Sequence, residues 1–231
     1  MPRRDHRLEP LGSRIYTAAA LWGTGFIMSS TGTQKKTRST YRKKRRALSK
    51  LQQRTAAWQV ATVLIKEPVF QRSRRIAFYV PNDGEIDPTL LLNAAVSMGK
   101  HCFLPRLKPA ISTANRHQLW FFEYGPGDPL CLNRYGIPEP IPRFAKRAPA
   151  ATLDLILLPL VAFDARGHRL GMGKGYYDRT FSFIEAGVAW HRPTLMGLAH
   201  ECQRAERLDA NPWDVRMNAI VTDQEIYTCT P

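Results

Sequence analysis

The sequence predicts an α/β fold, a mostly parallel central sheet flanked by helices, on three observations. Short apolar runs of strand length alternate with longer amphipathic stretches along the chain, the pattern of strand and helix units. The run Leu155-Ile156-Leu157-Leu158 is apolar throughout and reads as a buried strand. A glycine-rich turn follows it and leads into a helical pattern, where open parallel sheets carry ligand sites at the carboxyl ends of their strands.

Element by element, residues 1–27 mix Arg3, Arg4, Arg7 and Arg14 with Asp5 and Glu9 and show no sustained periodicity. They read as an extension ahead of a natural start at Met28, so residues 1–33 are expected to be a disordered or mis-assigned segment and 34–231 a single domain. Residues 34–65 lack glycine and proline and space Ala47, Leu48, Leu51, Val60, Val63 and Leu64 as one or two amphipathic helices. A strand follows at 75–80, a turn at Pro81-Asn82-Asp83-Gly84, and a helix at 88–98. Short strands are expected at 102–104 and 119–124. Residues 125–149 hold six prolines and little periodicity, which predicts a long loop. After the glycine turn come a helix over 176–189 and strands at 193–199 and 219–222.

Composition narrows the function classes. The hydrophobic fraction of 44% is that of an ordinary globular protein, and no apolar run approaches the length that crosses a bilayer. Cys102, Cys131, Cys202 and Cys229 are irregularly spaced with no C-x-x-C pair, which fits neither a zinc site nor a disulfide framework and suits a reducing cytoplasm. The net charge is +15, and ten basic residues with no acidic one lie between Lys35 and Arg54. Such a block supports nucleic-acid binding through the 35–54 helix as the alternative function. It serves equally as an electrostatic funnel for a polyanionic small ligand. Tyr41 and Trp58 are the aromatic residues nearby, few for base stacking, so a small-anion site ranks first.

The segment PLVAFDARGHRLGMGKGYYDR, residues 159–179, carries the most chemistry. Gly171, Gly173 and Gly175 alternate around Met172 and Lys174, so the backbone can turn its N–H groups toward an anion, and the helix that follows presents its N-terminal end to negative charge. The segment is not a Walker loop, because His168 stands where the first glycine is needed and Gly175 where the hydroxyl is needed. Nor is it the dinucleotide fingerprint, because Tyr176 takes the third glycine's place.

These residues resemble the 5-formyltetrahydrofolate cyclo-ligase (methenyltetrahydrofolate synthetase) family. The matching pieces run in order: the basic helix ending RRALS, the turn GEID, YGPGDPL followed by YGIPEP, LLPLVAFDARGHRLGMGKGYYDR, and the tail HECQ with WDVRMNAIVT. The resemblance implies a Rossmann-like three-layer domain similar to the NagB/RpiA/CoA-transferase-like fold. It implies an enzyme that uses ATP and Mg²⁺ to convert 5-formyltetrahydrofolate, with or without a polyglutamate tail, to 5,10-methenyltetrahydrofolate. A monomer is expected, with no membrane or nucleic-acid partner.

Site roles follow from the same resemblance. Arg38 matches a nucleotide-binding arginine, and Lys35 stands beside Gln34, which occupies the place of a common family lysine. Arg169, Leu170, Gly171, Met172, Gly173, Lys174, Gly175, Tyr176 and Tyr177 match the ATP-binding segment, with Lys174 as the group that stabilises the transferring phosphoryl. Val80 and Glu85 match folate contacts, joined by Met172, Gly173, Lys174, Gly175 and Tyr176. Asp178 and Asp214 match the carboxylates that hold magnesium. Met172 departs from the arginine or aromatic residue often found at its place.

Overall fold

The computed structural model describes residues 27–109, 117–185 and 191–229. In chain order the elements begin with α1 (Ile27–Arg46), α2 (Lys50–Leu64), α3 (Pro68–Arg72), β1 (Arg75–Ala77), α4 (Thr89–Ser97) and β2 (His101–Leu107). β3 (Leu119–Glu123), β4 (Leu130–Leu132), β5 (Pro138–Pro140), β6 (Arg147–Ala148) and β7 (Leu155–Pro159) follow. The chain continues with β8 (Ala162–Phe163), β9 (Arg169–Leu170), α5 (Tyr176–Glu185), β10 (Thr194–Leu198), β11 (Ala219–Val221) and β12 (Ile226–Thr228).

The break between α1 and α2 is written in the sequence. Ser49 caps α2 through a reciprocal box: its Oγ accepts the Gln52 N–H at 3.2 Å and its own N–H donates to Gln52 Oε1 at 2.8 Å. The expected stretch 34–65 is therefore two helices. α1 begins at Ile27, so the division expected between 33 and 34 falls inside it. Residues 1–26, the bulk of the expected extension, lie outside the described residues.

Eight strands form the main sheet in the order β12-β11-β10-β7-β1-β2-β3-β6. The five central strands, β11 to β2, run parallel, and β12, β3 and β6 add antiparallel edges. From β1 the chain crosses through α4 to β2 on one side, while β7, β10 and β11 extend the sheet the other way. The direction of winding thus reverses between β1 and β7, where such sheets open a crevice at their carboxyl ends.

Strand alternation builds the layers. In β7, Leu155 and Leu157 face a core shared with α2 and α4, while Ile156 and Leu158 face the core that holds Phe181 of α5. All four leucine and isoleucine side chains are fully enclosed. Burial of that kind is worth roughly 1.5–3 kcal/mol per side chain.

One expectation is corrected. Residues 125–149 are not an unstructured loop but carry the β4–β5 hairpin and β6. The prolines at 138 and 140 hid β5 because they cannot donate to a ladder. Its anchor is instead Glu139, which accepts the Leu107 N–H at 3.1 Å and pairs with Arg106 at 3.0 Å. The expected helix over 176–189 is described from Tyr176 to Glu185, and 186–189 lie outside the described residues.

Candidate active site

The glycine loop connects β9 to α5 at the carboxyl end of β7, next to the winding reversal. Buried Asp164 shapes the hairpin that delivers it, accepting the N–H groups of Arg166 and His168 at 3.0 and 3.1 Å and that of Leu208 at 3.1 Å. Beyond β9, Gly173 (φ +93) and Gly175 (φ +65) take left-handed conformations that side chains resist. A Cβ on Gly173 would also touch Arg38, lying 3.4 Å from its Cζ.

Arg38 therefore sits directly against the loop. Its Nε donates to the Gly171 carbonyl at 2.9 Å, and its Nη2 donates to Gln34 Oε1 at 3.0 Å. Gln34 and Arg38, four residues apart, share the helix face turned to the loop. Lys35 is exposed on the neighbouring face. Lys174 and Met172 are exposed at the loop's open side.

Asp178, in the first turn of α5, accepts Arg169 Nη2 at 2.6 Å through Oδ1, and its Oδ2 looks toward Gly175. Arg169 is buried and its Nε has no hydrogen-bond partner. Asp214 is held by the N–H and side-chain amide of Asn211 at 2.8 and 3.0 Å, both on Oδ2. Burial raises the Asp214 carboxyl above its ordinary value, and the nearby Asp178 charge adds to the rise. Asp214 also faces Arg38, whose guanidinium is lowered by burial against that attraction. A cavity of about 310 Å³ opens beside Asp214, lined also by His168, Asn211 and Arg216.

On the opposite side of the crevice, the chain leaving β1 passes half-buried Val80 and turns at Asp83 and Gly84 to present Glu85. Desolvation pushes the Glu85 carboxyl up to about 7, against the charge of Arg45 and a bond from the Asn82 N–H. Buried Tyr79 donates to the Ile86 carbonyl at 2.6 Å. Glu85 is close enough to Tyr177 to raise that phenol further above its ordinary value, after burial itself. Glu85 of the turn and Tyr177 of α5 are thereby near one another.

Tyr176 lies under residues to which sequence reasoning gave no role. Its hydroxyl meets Arg134 and, at 3.1 Å, the Tyr135 hydroxyl; His117 packs edge-on to its ring at 5.1 Å. The bond to Tyr176, and then the charges of Arg134 and Lys174, hold the Tyr135 hydroxyl below its ordinary value against partial burial. The YGIPEP motif contains Tyr135 and was the available signal. Its contact with Tyr176 depends on the β4–β5 hairpin, which the prolines concealed.

Within the basic block the guanidiniums of the first helix turn to partners in the fold, while Arg54 of α2 is exposed. Arg38 serves the loop, and Arg42, Arg45 and Arg46 all bond the Asp83 carboxylate. Lys35, Lys36, Lys43, Lys44 and Lys50 are exposed. Four of the ten cations are thus hydrogen-bonded within the fold, which reduces the charge free for a nucleic acid.

The profile described as the 5-formyltetrahydrofolate cyclo-ligase family matches residues 30–223. A 5-formyltetrahydrofolate cyclo-ligase of Escherichia coli K12 is 36% identical over 186 residues, covering 80% of this chain and 98% of its own. One from Haemophilus influenzae is 35% identical over 194 residues, covering 83% and 98%. The solution structure of an Aquifex aeolicus 5,10-methenyltetrahydrofolate synthetase superposes with a TM-score of 0.70 at 29% identity, covering 86% of this chain and 93% of that one. With the profile spanning most of the sequence and the same α/β sheet in a solved relative, the chain belongs to the 5-formyltetrahydrofolate cyclo-ligase family.

Proposed function

We propose that this enzyme converts 5-formyltetrahydrofolate to 5,10-methenyltetrahydrofolate, consuming ATP in the presence of Mg²⁺ and releasing ADP and phosphate. The observation that carries the proposal is the meeting of two half-sites at the winding reversal. The glycine loop with Arg38 would cradle the anion on one side, and Glu85 with half-buried Val80 and Tyr177 would receive the pterin on the other.

The chemistry needs both halves. A formyl oxygen leaves poorly until it is phosphorylated, so the formyl oxygen attacks the terminal phosphorus of ATP and ADP departs. The adjacent anilino nitrogen then attacks the activated carbon, loses its proton, and phosphate leaves with the former formyl oxygen. Phosphoryl transfer of this kind depends on positioning and charge neutralisation more than on a protein nucleophile.

The N–H groups of the loop from Gly171 to Gly175 hold the phosphates, with Leu170 and Arg169 setting the loop's start. Arg38 holds its first carbonyl and adds a fork of positive charge. Exposed Lys174 is the catalytic cation for the transferring phosphoryl, and Lys35 adds long-range attraction. Glu85 accepts hydrogen bonds from the pterin donors, while Val80, Met172 and the tyrosine rings line the pocket. Tyr176, held by Tyr135 and Arg134, shields the reacting groups from water.

Asp178 and Asp214 would hold magnesium: each commits one carboxylate oxygen to the protein, and the Asp178 charge that raises the Asp214 carboxyl is one that a hard cation would offset. When bound, the ion neutralises charge on the phosphates.

The test is turnover of 5-formyltetrahydrofolate, followed by the absorbance of the methenyl product, with ATP and Mg²⁺ each omitted in turn. Substrate carrying heavy oxygen in its formyl group should deliver that label to phosphate. Label appearing in water instead would overturn the phosphorylated intermediate.

A further inference from the structure

Arg45 has no accessible surface, although a guanidinium is among the costliest groups to strip of water. Its donors reach two segments distant in sequence. Nε donates to the Asp83 carbonyl at 2.9 Å, Nη2 to the Asp83 carboxylate at 3.0 Å, and Nη1 to the Leu160 carbonyl at 3.0 Å. Nη1 also stands 3.7 Å from Glu85 Oε1. None of these partners is in the glycine loop, and the chemistry above does not use Arg45.

The turn it grips is strained. Asp83 and Gly84 are consecutive left-handed residues, at φ +55 and +77, and a non-glycine residue there persists only where its surroundings dictate it. Arg42 and Arg46 bond the same carboxylate from α1. From the other side His200 contacts the Gly84 carbonyl at 3.1 Å, and Gln203 donates at 2.8 Å to the Leu160 carbonyl that Arg45 also bonds. A buried ion pair is weak support for stability, since apolar replacements often do as well. What this one supplies is the aim of Glu85.

We propose that Arg45 is a positioning residue for the reaction: from the helix that carries Arg38, it clamps the Asp83-Gly84 turn and directs Glu85 toward the folate. The inference rests on the placement of folate at Glu85 given above.

Steady-state kinetics of the full chain test it. Arg45→Lys keeps the charge but loses the fork that spans Asp83 and Leu160. The folate KM should rise about tenfold or more, with the ATP KM within about twofold and kcat within about threefold. Glu85→Gln should raise the same KM, and the double variant should raise it no further than the larger single change. A lower kcat at unchanged folate KM would mean that Arg45 only holds the fold, and the proposal fails. Should Arg45→Lys not fold, Asp83→Asn opens the clamp from its other jaw, and an unchanged folate KM there is equally fatal. If Glu85→Gln itself leaves the folate KM alone, the folate placement falls and this inference with it. If Glu85→Gln acts and Arg45→Lys does not, only the inference falls.

Discussion

Replacing Glu85 by glutamine should make the protein more stable and the enzyme worse, and the pH dependence of the gain separates this account from a generic packing effect. Burial lifts the Glu85 carboxyl from its ordinary 4.5 to about 7, even with Arg45 opposing. A folded-state value above the unfolded one means that the folded protein holds the proton more tightly. The associated stability is complete below about pH 4.5 and is lost as pH rises through about 7. At pH 8 the native state therefore bears the whole cost of a buried carboxylate, about 3 kcal/mol from the size of the rise. Glu85→Gln removes that charge with little change of shape. Thermal unfolding of the ligand-free protein at pH 8 should shift up by about 6–12 °C for a chain of this size, while at pH 5 the gain shrinks below about 1 kcal/mol. The folate KM should rise about tenfold, the loss of a charge-assisted hydrogen bond. Equal stabilisation at both pH values, or destabilisation at both, would refute the reasoning.

Three further outcomes are expected. Lys174→Ala, at an exposed position, should leave the melting temperature unchanged and lower kcat about 10²–10³-fold, measured by methenyl formation at saturating substrates. Gly173→Ala places a Cβ 3.4 Å from Arg38 at φ +93, so it should raise the ATP KM at least about tenfold without a comparable change in the folate KM. Gly197→Ala in β10 meets Leu160 Cδ2 at 2.7 Å and Ile220 Cγ1 at 3.3 Å in a closed core. It should cost about 1–3 kcal/mol in chemical denaturation.

Much of the fold is legible in the sequence where chemistry is local. The apolar run at 155–158 is a central strand because it is covered on both faces, and the Ser49–Gln52 box marks where the first helical stretch divides. The edge strands are less visible, since β6 and β12 are short and β5 is proline-flanked, so their pairing depends on partners far away in sequence. The candidate site shows the same division. Gly173 and Lys174 mark the loop as a candidate anion site by residue type alone. Glu85 and Asp214 look like ordinary turn carboxylates until the winding reversal and the α5 start bring them to the loop. Arg45 looked like one charge among ten, because nothing in a run of basic residues tells which guanidinium will face inward. Gln34 shows the converse: side-chain type favoured Lys35, but helix geometry turns residue 34 toward Arg38.

The most direct test of the central claim is a crystal structure of the protein with a non-hydrolysable ATP analogue and Mg²⁺. The account predicts the triphosphate within hydrogen-bonding reach of the 171–175 backbone, its terminal group near Lys174, and the metal between Asp178 and Asp214. A triphosphate bound elsewhere, with the glycine loop open to solvent, would contradict it.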